Sequence, residues 1–171
     1  MVSLTCLKTT IEGNNVQIGS RNIASSPIKI NIKIRLGKRS EQRKFGRSIF
    51  MVSIPRDKNM NSTLDIAVIQ TRCSPDGEAN VDVTVGQIVD AARAGAKLIC
   101  LQELFASTYF CQSENHEHFN LAQSIPGVIT DRLSKLAREL RIVIIAPLFE
   151  RRAAGLFHNS AVIIESDGSL L

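Results

Sequence analysis

The sequence is poor in the residues that mark disulfide-stapled or membrane-spanning proteins. It contains no tryptophan, one tyrosine and four cysteines in 171 residues. The cysteines form no C-x-x-C pair and are too few for a disulfide scaffold, so free thiols in a reducing compartment are expected. No apolar run approaches the roughly 20 residues that span a bilayer, so no membrane partner is expected. The length suffices for one globular domain with its own core.

Acidic residues are scarce in the first third of the chain. Residues 1–60 contain twelve lysines and arginines but three acids, a net charge of +9, whereas the whole chain carries +5. By difference, the remaining residues carry −4. Because the positive charge belongs to the first third, the basic isoelectric point is a poor argument for nucleic-acid binding by the rest. We therefore expect no nucleic-acid partner for the domain.

Residues 1–59 do not have the pattern of a domain and predict a basic, disordered leader. Their most regular feature is the strict alternation over Ile28–Leu36, which is typical of an amphipathic strand. Three interpretations are open. The segment could be an organellar transit peptide or a disordered basic tail. It could also be upstream sequence included by a misassigned translation start, with the true start at Met51 or Met60. We expect a cytoplasmic protein, or a mitochondrial or plastid one if the leader is a transit peptide. A secretory signal fits worst, because no continuous apolar region is present.

From Met60 onward, strand and helix patterns alternate. Strands are predicted at 63–70, 97–101, 141–146 and 157–165, helices at 78–94 and after Thr130, and a short helical piece at 116–123. Thr130 can cap its helix, and Gly95 can end the preceding one. The strand at 97–101 is apolar throughout, which predicts burial on both faces. A strand–helix–strand unit of this length is typical of parallel strands in an α/β layer.

The first carboxylate after the strand at 97–101 is Glu103, two residues beyond its end. Glu103 lies where the chain leaves the sheet, the edge at which α/β folds commonly build their sites, and Phe105, Tyr109 and Phe110 follow it. Aromatic neighbours that shield a carboxylate from water raise its pKa, which favours its action as a general base. A solvated carboxylate at a loop start is the other interpretation, because such residues are common.

Four segments in order resemble the carbon–nitrogen hydrolase (nitrilase) superfamily. They are LDIAVIQTRCSPDGEANV, LQELFASTYFCQ with ENHEHFNLAQSIPG after it, LARELRIVIIAPLFER, and FHNSAVIIESDGSLL. Within the superfamily, the N-carbamoylputrescine amidases are most similar, because their corresponding segment runs from the catalytic Glu into a YFCQ turn. The resemblance covers residues 60–171 and implies an α/β fold, the first half of the nitrilase-type four-layer α-β-β-α sandwich.

The resemblance also implies a Glu–Lys–Cys triad, of which the Glu corresponds to Glu103. A Cys thiolate attacks the carbonyl carbon, the Glu acts as base and later as acid, and the Lys stabilises the tetrahedral intermediate. The family's Lys and Cys segments come after the position that Leu171 occupies. The 171-residue chain is therefore expected to be inactive by itself.

Five further residues are implied as pocket or support residues: Tyr109, Phe110, Cys111, Glu150 and Asn159. The first three belong to the YFCQ loop that shapes the pocket. Glu150 and Asn159 fall in adjacent strands near the site, where they brace the catalytic residues. For Glu150, a salt bridge to Arg151 or Arg152 is the alternative.

Cys111 allows two further hypotheses. With His116 or His118 it could form a nucleophilic pair. The same three residues could also ligate a metal, but no fourth ligand stands at a familiar spacing. We therefore predict no metal and no cofactor.

The resemblance implies that the full-length parent hydrolyses N-carbamoylputrescine to putrescine, carbon dioxide and ammonia. Another carbamoyl-amine, a carbamoyl-amino-acid or an ω-amide is the alternative small-molecule substrate. Members of the superfamily also resemble one another in forming homo-oligomers, so a short chain could instead be a non-catalytic partner of full-length subunits. Binding of nucleic acid or a membrane surface by the leader is a third hypothesis, which rests on charge alone.

Overall fold

The computed structural model describes residues 8–12, 15–19, 33–36, 47–57 and 60–171. Its strands are β1 (Lys8–Glu12), β2 (Asn15–Gly19), β3 (Lys33–Leu36), β4 (Arg47–Asp57), β5 (Met60–Thr71), β6 (Leu98–Leu101), β7 (Val143–Ala153) and β8 (Leu156–Ile164). Its helices are α1 (Gly77–Arg93), α2 (Val128–Leu140) and a 3-10 helix at His116–Leu121. None of these described helices is long and apolar enough to cross a membrane.

The eight described strands form one mixed sheet in which the spatial order follows the chain order. β5, β6 and β7 are parallel to one another. The remaining neighbours, from β1 to β5 and from β7 to β8, pair antiparallel. Parallel neighbours need long crossovers, and α1 and α2 lie in the two crossovers that this sheet requires. The α/β class expected from the sequence is confirmed.

The β5–α1–β6 unit has the boundaries that its capping residues dictate. The Asp76 carboxylate accepts a hydrogen bond from the Ala79 backbone N–H at 3.1 Å and caps α1. At the other end, Gly95 adopts a φ of 105° and its N–H donates to the Ala92 carbonyl oxygen at 3.0 Å. Glycine adopts this conformation without a Cβ penalty. The prediction that Gly95 ends the helix is confirmed.

The start of α2 differs from the sequence expectation. Thr130 was expected to be the N-cap, but the cap is Gly127 and the helix begins at Val128. The Thr130 hydroxyl accepts from the Gly127 N–H at 2.7 Å and donates to the Gly127 carbonyl oxygen at 2.8 Å. A polar side chain in the first turn can reach back to the cap in this way. Thr130 therefore stabilises the helix start from a position inside the helix.

Gly127 leaves no room for a side chain at this helix start. A Cβ at Gly127 would lie 2.4 Å from the Ser124 carbonyl oxygen. We expect Gly127→Ala to lower the free energy of unfolding by about 1–3 kcal/mol, because the backbone must move. The matched control is Gly86→Ala in α1, where a Cβ meets open space, and it should raise that free energy by roughly 0.5–1 kcal/mol. Urea unfolding followed by circular dichroism measures both, and equal effects would contradict the steric argument.

The core lies between α1, α2 and one face of the sheet. Its strand residues are Ala67, Ile69, Ile99, Leu101, Ile144, Ala146, Leu148, Val162 and Ile164, and its helix residues include Val81, Ile88, Leu133 and Ala137. The strand residues alternate along each strand, because successive side chains point to opposite faces. Burial of this apolar surface is the main favourable term for folding.

The opposite face of the sheet is apolar but incompletely covered by the residues that the structure describes. Val68 and Ile163 are each 40% exposed, and Leu98 and Cys100 are half-buried. The prediction that the strand at 97–101 is buried on both faces is therefore wrong. Both faces of β6 are apolar, but full burial also needs a second packing layer on the far face.

Strands β1 to β4 fall within residues 1–59. β3 covers the end of the alternating segment Ile28–Leu36, whereas residues 28–32 lie outside the described residues. β4 pairs with β5 from Arg47 opposite Thr71 to Asp57 opposite Met60. The predicted division at residue 59 thus falls between two paired strands. The separation of a leader from a domain at 60–171 stays a prediction.

Candidate active site

Glu103 follows β6 by two residues, at the carboxyl end of the parallel strands. Its neighbour Gln102 fixes this turn. The Gln102 carboxamide accepts a hydrogen bond from the Thr71 backbone N–H and donates to Cys73 Sγ at 3.1 Å. The Cys73 thiol donates to the Phe105 carbonyl oxygen at 3.3 Å. These bonds tie the ends of β5 and β6 to the turn that carries Glu103.

The turn has a left-handed backbone at Leu104, where φ is 54°. This region is sparsely populated for bulky residues and costs of order 1–3 kcal/mol. Burial of the Leu104 and Phe105 side chains offsets that cost. The Ser107 N–H also donates to the Leu104 carbonyl oxygen at 2.9 Å. Glu103 is therefore presented on a turn that is anchored on both sides.

Asn159 lies within hydrogen-bond distance of Glu103. Its Nδ2 donates to Glu103 Oε1 at 2.6 Å. Asn159 is in β8 directly opposite Phe149 of β7, and the buried residues of β8 occupy the other face of the strand. The Glu103–Asn159 pair therefore lies on the incompletely covered face of the sheet. A carboxylate that accepts a hydrogen bond in this way is oriented by it.

Tyr109 is electrostatically coupled to the same region. Its pKa is raised, first by its electrostatic interaction with Cys111 and then by that with Glu103. Tyr109 is 54% exposed, and Glu103 is also exposed. The aromatic shielding of Glu103 that the sequence suggested is therefore not provided by the described residues. Tyr109 still lies within electrostatic range of the Glu103 carboxylate.

Glu150 lies on the opposite face of the sheet from Glu103. It is buried, with 5% of its surface exposed, and accepts a hydrogen bond from the Ser160 hydroxyl at 2.5 Å. Arg152 Nη1 lies 3.5 Å from its Oε1. The structure thus brings Asn159 to Glu103 but not Glu150. Of the two arginines named for Glu150, Arg152 forms the ion pair.

Aromatic side chains from the loop after Glu103 meet those of β7 and β8. The Phe110 ring lies 5.1 Å from the rings of His118 and Phe149, and the Phe119 ring lies 4.5 Å from that of Phe157. We call Phe110, His118, Phe119, Phe149 and Phe157 the aromatic cluster. Gln123 fixes the returning loop beside β7, because its N–H donates to the Phe149 carbonyl oxygen at 2.8 Å.

A cavity of about 420 Å³ opens beside this cluster. Its lining residues are Phe110, Cys111, Ser113, Glu114, Asn115, His116, His118, Phe119 and Phe149. Phe110 and Cys111 were expected as pocket residues, and both line this cavity. The lining residue Phe149, the cluster residue Phe157 and the anchor Gln102 were not identified from the sequence. Phe149 and Phe157 had no recognisable signal, because their contacts depend on how the loop folds back over the strands.

The described cysteines differ in accessibility. Burial raises the pKa of Cys73 and Cys100, and the hydrogen bond from Gln102 offsets part of this at Cys73. Cys111 is exposed.

In a Cys6→Ser background, we expect iodoacetamide to alkylate Cys111 about tenfold faster than Cys73 or Cys100, because the accessible thiolate is the reactive form. Peptide mapping by mass spectrometry measures the rates, and equal rates would contradict this order.

Within residues 64–171, no lysine lies beside Glu103. Lys97 and Lys135 are the lysines of residues 64–171. Lys97 precedes β6, at the end opposite to Glu103, and Lys135 lies in α2.

Within the described part of the chain, no three His, Cys, Asp or Glu residues are grouped to hold a metal ion. The set of Cys111, His116 and His118 is therefore not such a group.

A carboxylate at the exit of a parallel strand, in a sheet with helices on one face, is the arrangement expected for the first half of a nitrilase-type domain. The family model "Carbon-nitrogen hydrolase" matches residues 65–171. The chain belongs to this family.

Named relatives agree with this assignment. The chain is 40% identical over 111 residues to an N-carbamoylputrescine amidase from Solanum lycopersicum, covering 64% of this chain and 36% of that protein. It is 33% identical to a citrullinase from Francisella tularensis, covering 64% and 38%. A carbon–nitrogen hydrolase structure from Helicobacter pylori G27 matches with a TM-score of 0.58 and 37% identity, covering 61% and 36%. The chain thus spans little more than a third of the length of these proteins.

Proposed function

We propose that this chain carries the general-base segment of an amidase that hydrolyses N-carbamoylputrescine. The observation that supports this most is the Glu103 carboxylate, held by Asn159 at 2.6 Å on an anchored turn. The similarity to the N-carbamoylputrescine amidase from Solanum lycopersicum supports this choice of substrate. A carbamoyl-amino-acid is the alternative substrate, since the similarity extends to a citrullinase, and an ω-amide is a further one.

In this proposal Glu103 transfers protons while a thiol forms a C–S bond to the carbamoyl carbon and the C–N bond breaks. Its carboxylate takes the proton from the thiol as sulfur attacks the carbamoyl carbon, and returns it to the departing nitrogen. It then activates the water that releases the acyl group from sulfur. The resemblance implies that the thiol and a stabilising lysine come from family segments that do not correspond to residues 60–171. The isolated 171-residue chain is accordingly proposed to be inactive.

Ammonia release from the native protein tests this function. Antibody raised against residues 64–171 would isolate the protein from its source. We expect this protein to release ammonia faster from N-carbamoylputrescine than from citrulline or an ω-amide. The recombinant 171-residue chain assayed in parallel should release none. A native protein that hydrolyses none of these compounds would overturn the proposal.

A non-catalytic role in association is the second candidate, and the incompletely covered sheet face favours it. Val68 and Ile163 on this face are each 40% exposed, and apolar patches of this kind mark contact surfaces. We expect the isolated chain to form assemblies above its 18.8 kDa mass. Light scattering after size-exclusion chromatography measures this, with Val68→Thr and Ile163→Thr reducing the assembled fraction. A cooperatively melting monomer of the unaltered chain would contradict the expectation.

A further inference from the structure

Helix α1 carries two buried carboxamide side chains on the face that packs against the turn with Glu103. Asn80 has 4% of its surface exposed and Gln87 has 1%. They are seven residues apart, which is two turns of an α-helix, so they lie on the same face. An amide group that has left water is costly unless it is hydrogen-bonded. The groups to which these two amides bind therefore indicate their role.

Asn80 connects α1 to the segment that follows Glu103. Its Nδ2 donates to the Ser74 carbonyl oxygen at 2.8 Å and to the Ala106 carbonyl oxygen at 3.4 Å. Its Oδ1 accepts from the Ser74 backbone N–H at 2.8 Å. The start of the helix also lies close to Ala106, because a Cβ at Gly77 would lie 3.1 Å from the same carbonyl oxygen. One buried side chain thus joins α1, the loop before it and the far side of the turn.

Gln87 reaches the near side of the turn through Thr71. The Thr71 hydroxyl donates to Gln87 Oε1, and the Thr71 backbone N–H donates to Gln102 Oε1. Gln102 directly precedes Glu103. Among the residues that the structure describes, no partner accepts a hydrogen bond from Gln87 Nε2. A methionine of similar size would fill the same space without an unpaired donor, so packing alone does not account for this amide.

We propose that Asn80 and Gln87 are positioning residues for the catalytic base, because they hold the two sides of its turn from the helix behind it. Both act through the residues that flank Glu103 rather than through its carboxylate. General-base catalysis depends on such placement, since a displacement of about 1 Å can cost roughly 10²-fold in rate. The catalytic part of this inference rests on the proposed function, whereas the restraint of the turn does not.

Hydrogen exchange of the native protein, measured by mass spectrometry, tests the restraint of the turn. Gln87→Met removes one amide, and Asn80→Asp keeps an acceptor but has no donor for the Ala106 carbonyl oxygen. Each variant should raise the backbone exchange rate of residues 102–110 about tenfold, because a less restrained turn opens more often.

Thr84→Val is the matched control for this exchange. Thr84 lies on the same face of α1 and is as buried as Gln87, with 1% of its surface exposed. Its hydroxyl donates to the Asn80 carbonyl oxygen at 2.8 Å, a bond within the helix, so its loss should leave exchange in residues 102–110 unchanged. Unchanged exchange in both amide variants, or an equal rise in the control, would overturn the proposal.

Ammonia release by the native protein tests whether the restraint serves catalysis. Gln87→Met should lower kcat for N-carbamoylputrescine about tenfold and leave KM within about twofold, because the base is misplaced while the substrate contacts remain. In a Glu103→Gln background, the same change should lower the residual rate no further, since a residue that acts through the base has no effect once the base is gone. An equal fold loss in the two backgrounds would indicate a merely structural role and overturn the proposal.

The outcomes also separate this inference from the proposed function. A native protein without amidase activity would overturn the proposed function, and the exchange rates would still decide whether α1 restrains the turn. An active amidase in which Gln87→Met keeps its full kcat would overturn the positioning role and leave the proposed function standing. The two measurements share no readout, because one observes backbone exchange and the other ammonia.

Discussion

Replacing Glu103 by glutamine is expected to lower kcat/KM for N-carbamoylputrescine by about 10²–10⁴-fold in the native protein. Glutamine has the same size and can keep the contact with Asn159 that the structure shows at 2.6 Å. It has no carboxylate to take up the thiol proton. The loss should therefore fall mainly on kcat, because the isosteric side chain leaves the shape of the site unchanged. Steady-state ammonia release measures both constants.

Two further variants define what the Glu103 result means. Glu139→Gln removes an exposed carboxylate from α2 and should leave kcat and KM unchanged. Asn159→Ala keeps the base but removes the group that orients it, and should cost about tenfold in kcat. A Glu103→Gln protein that retains more than a tenth of its activity would show that another group is the base.

Replacing Phe105 by alanine is expected to lower the free energy of unfolding by about 3–5 kcal/mol. The ring is among the largest fully buried side chains of the described residues, with 1% of its surface exposed. Its removal leaves a cavity beneath the turn that carries Glu103, where the Phe105 carbonyl also accepts a hydrogen bond from Cys73. Denaturant unfolding monitored by circular dichroism measures the change.

Phe119→Ala is the matched control for this stability effect. Phe119 is 41% exposed, so its removal deletes the same atoms but leaves little cavity, and should cost about 1 kcal/mol or less. Phe105→Leu should fall between the two, since it refills part of the space. Equal losses for Phe105→Ala and Phe119→Ala would show that burial beneath the turn is not what stabilises it.

The sequence allowed most of the elements to be predicted because their signals are local. The helix stop at Gly95 and the apolar periodicity of α1 depend on neighbouring residues alone. The position of Thr130 was misjudged because a threonine three residues into a helix can reach back to its cap. Apolar residues on both faces of β6 predicted full burial, but burial depends on the layers that pack against a strand, which local patterns do not report.

The candidate site was predicted in part for the same reason. Glu103 was recognisable because it is the first carboxylate after an apolar strand. Whether Asn159 and Glu150 face it depends on the register of β7 with β8, which shifts between Arg151 and Ala153. A shift of one residue reverses the face of every side chain. The family resemblance implied both residues, and the register shows that of the two only Asn159 is on the side of Glu103.

The sequential strand order has a consequence for how this sheet forms during synthesis. Because each strand pairs with the strand that precedes it in the chain, every new strand can join an existing edge and none has to insert between two neighbours. The longest chain segments between paired strands are the crossovers before β6 and β7. Bringing their ends together is expected to be the slowest step of sheet assembly. Folding can therefore follow the chain as it leaves the ribosome, one strand after another.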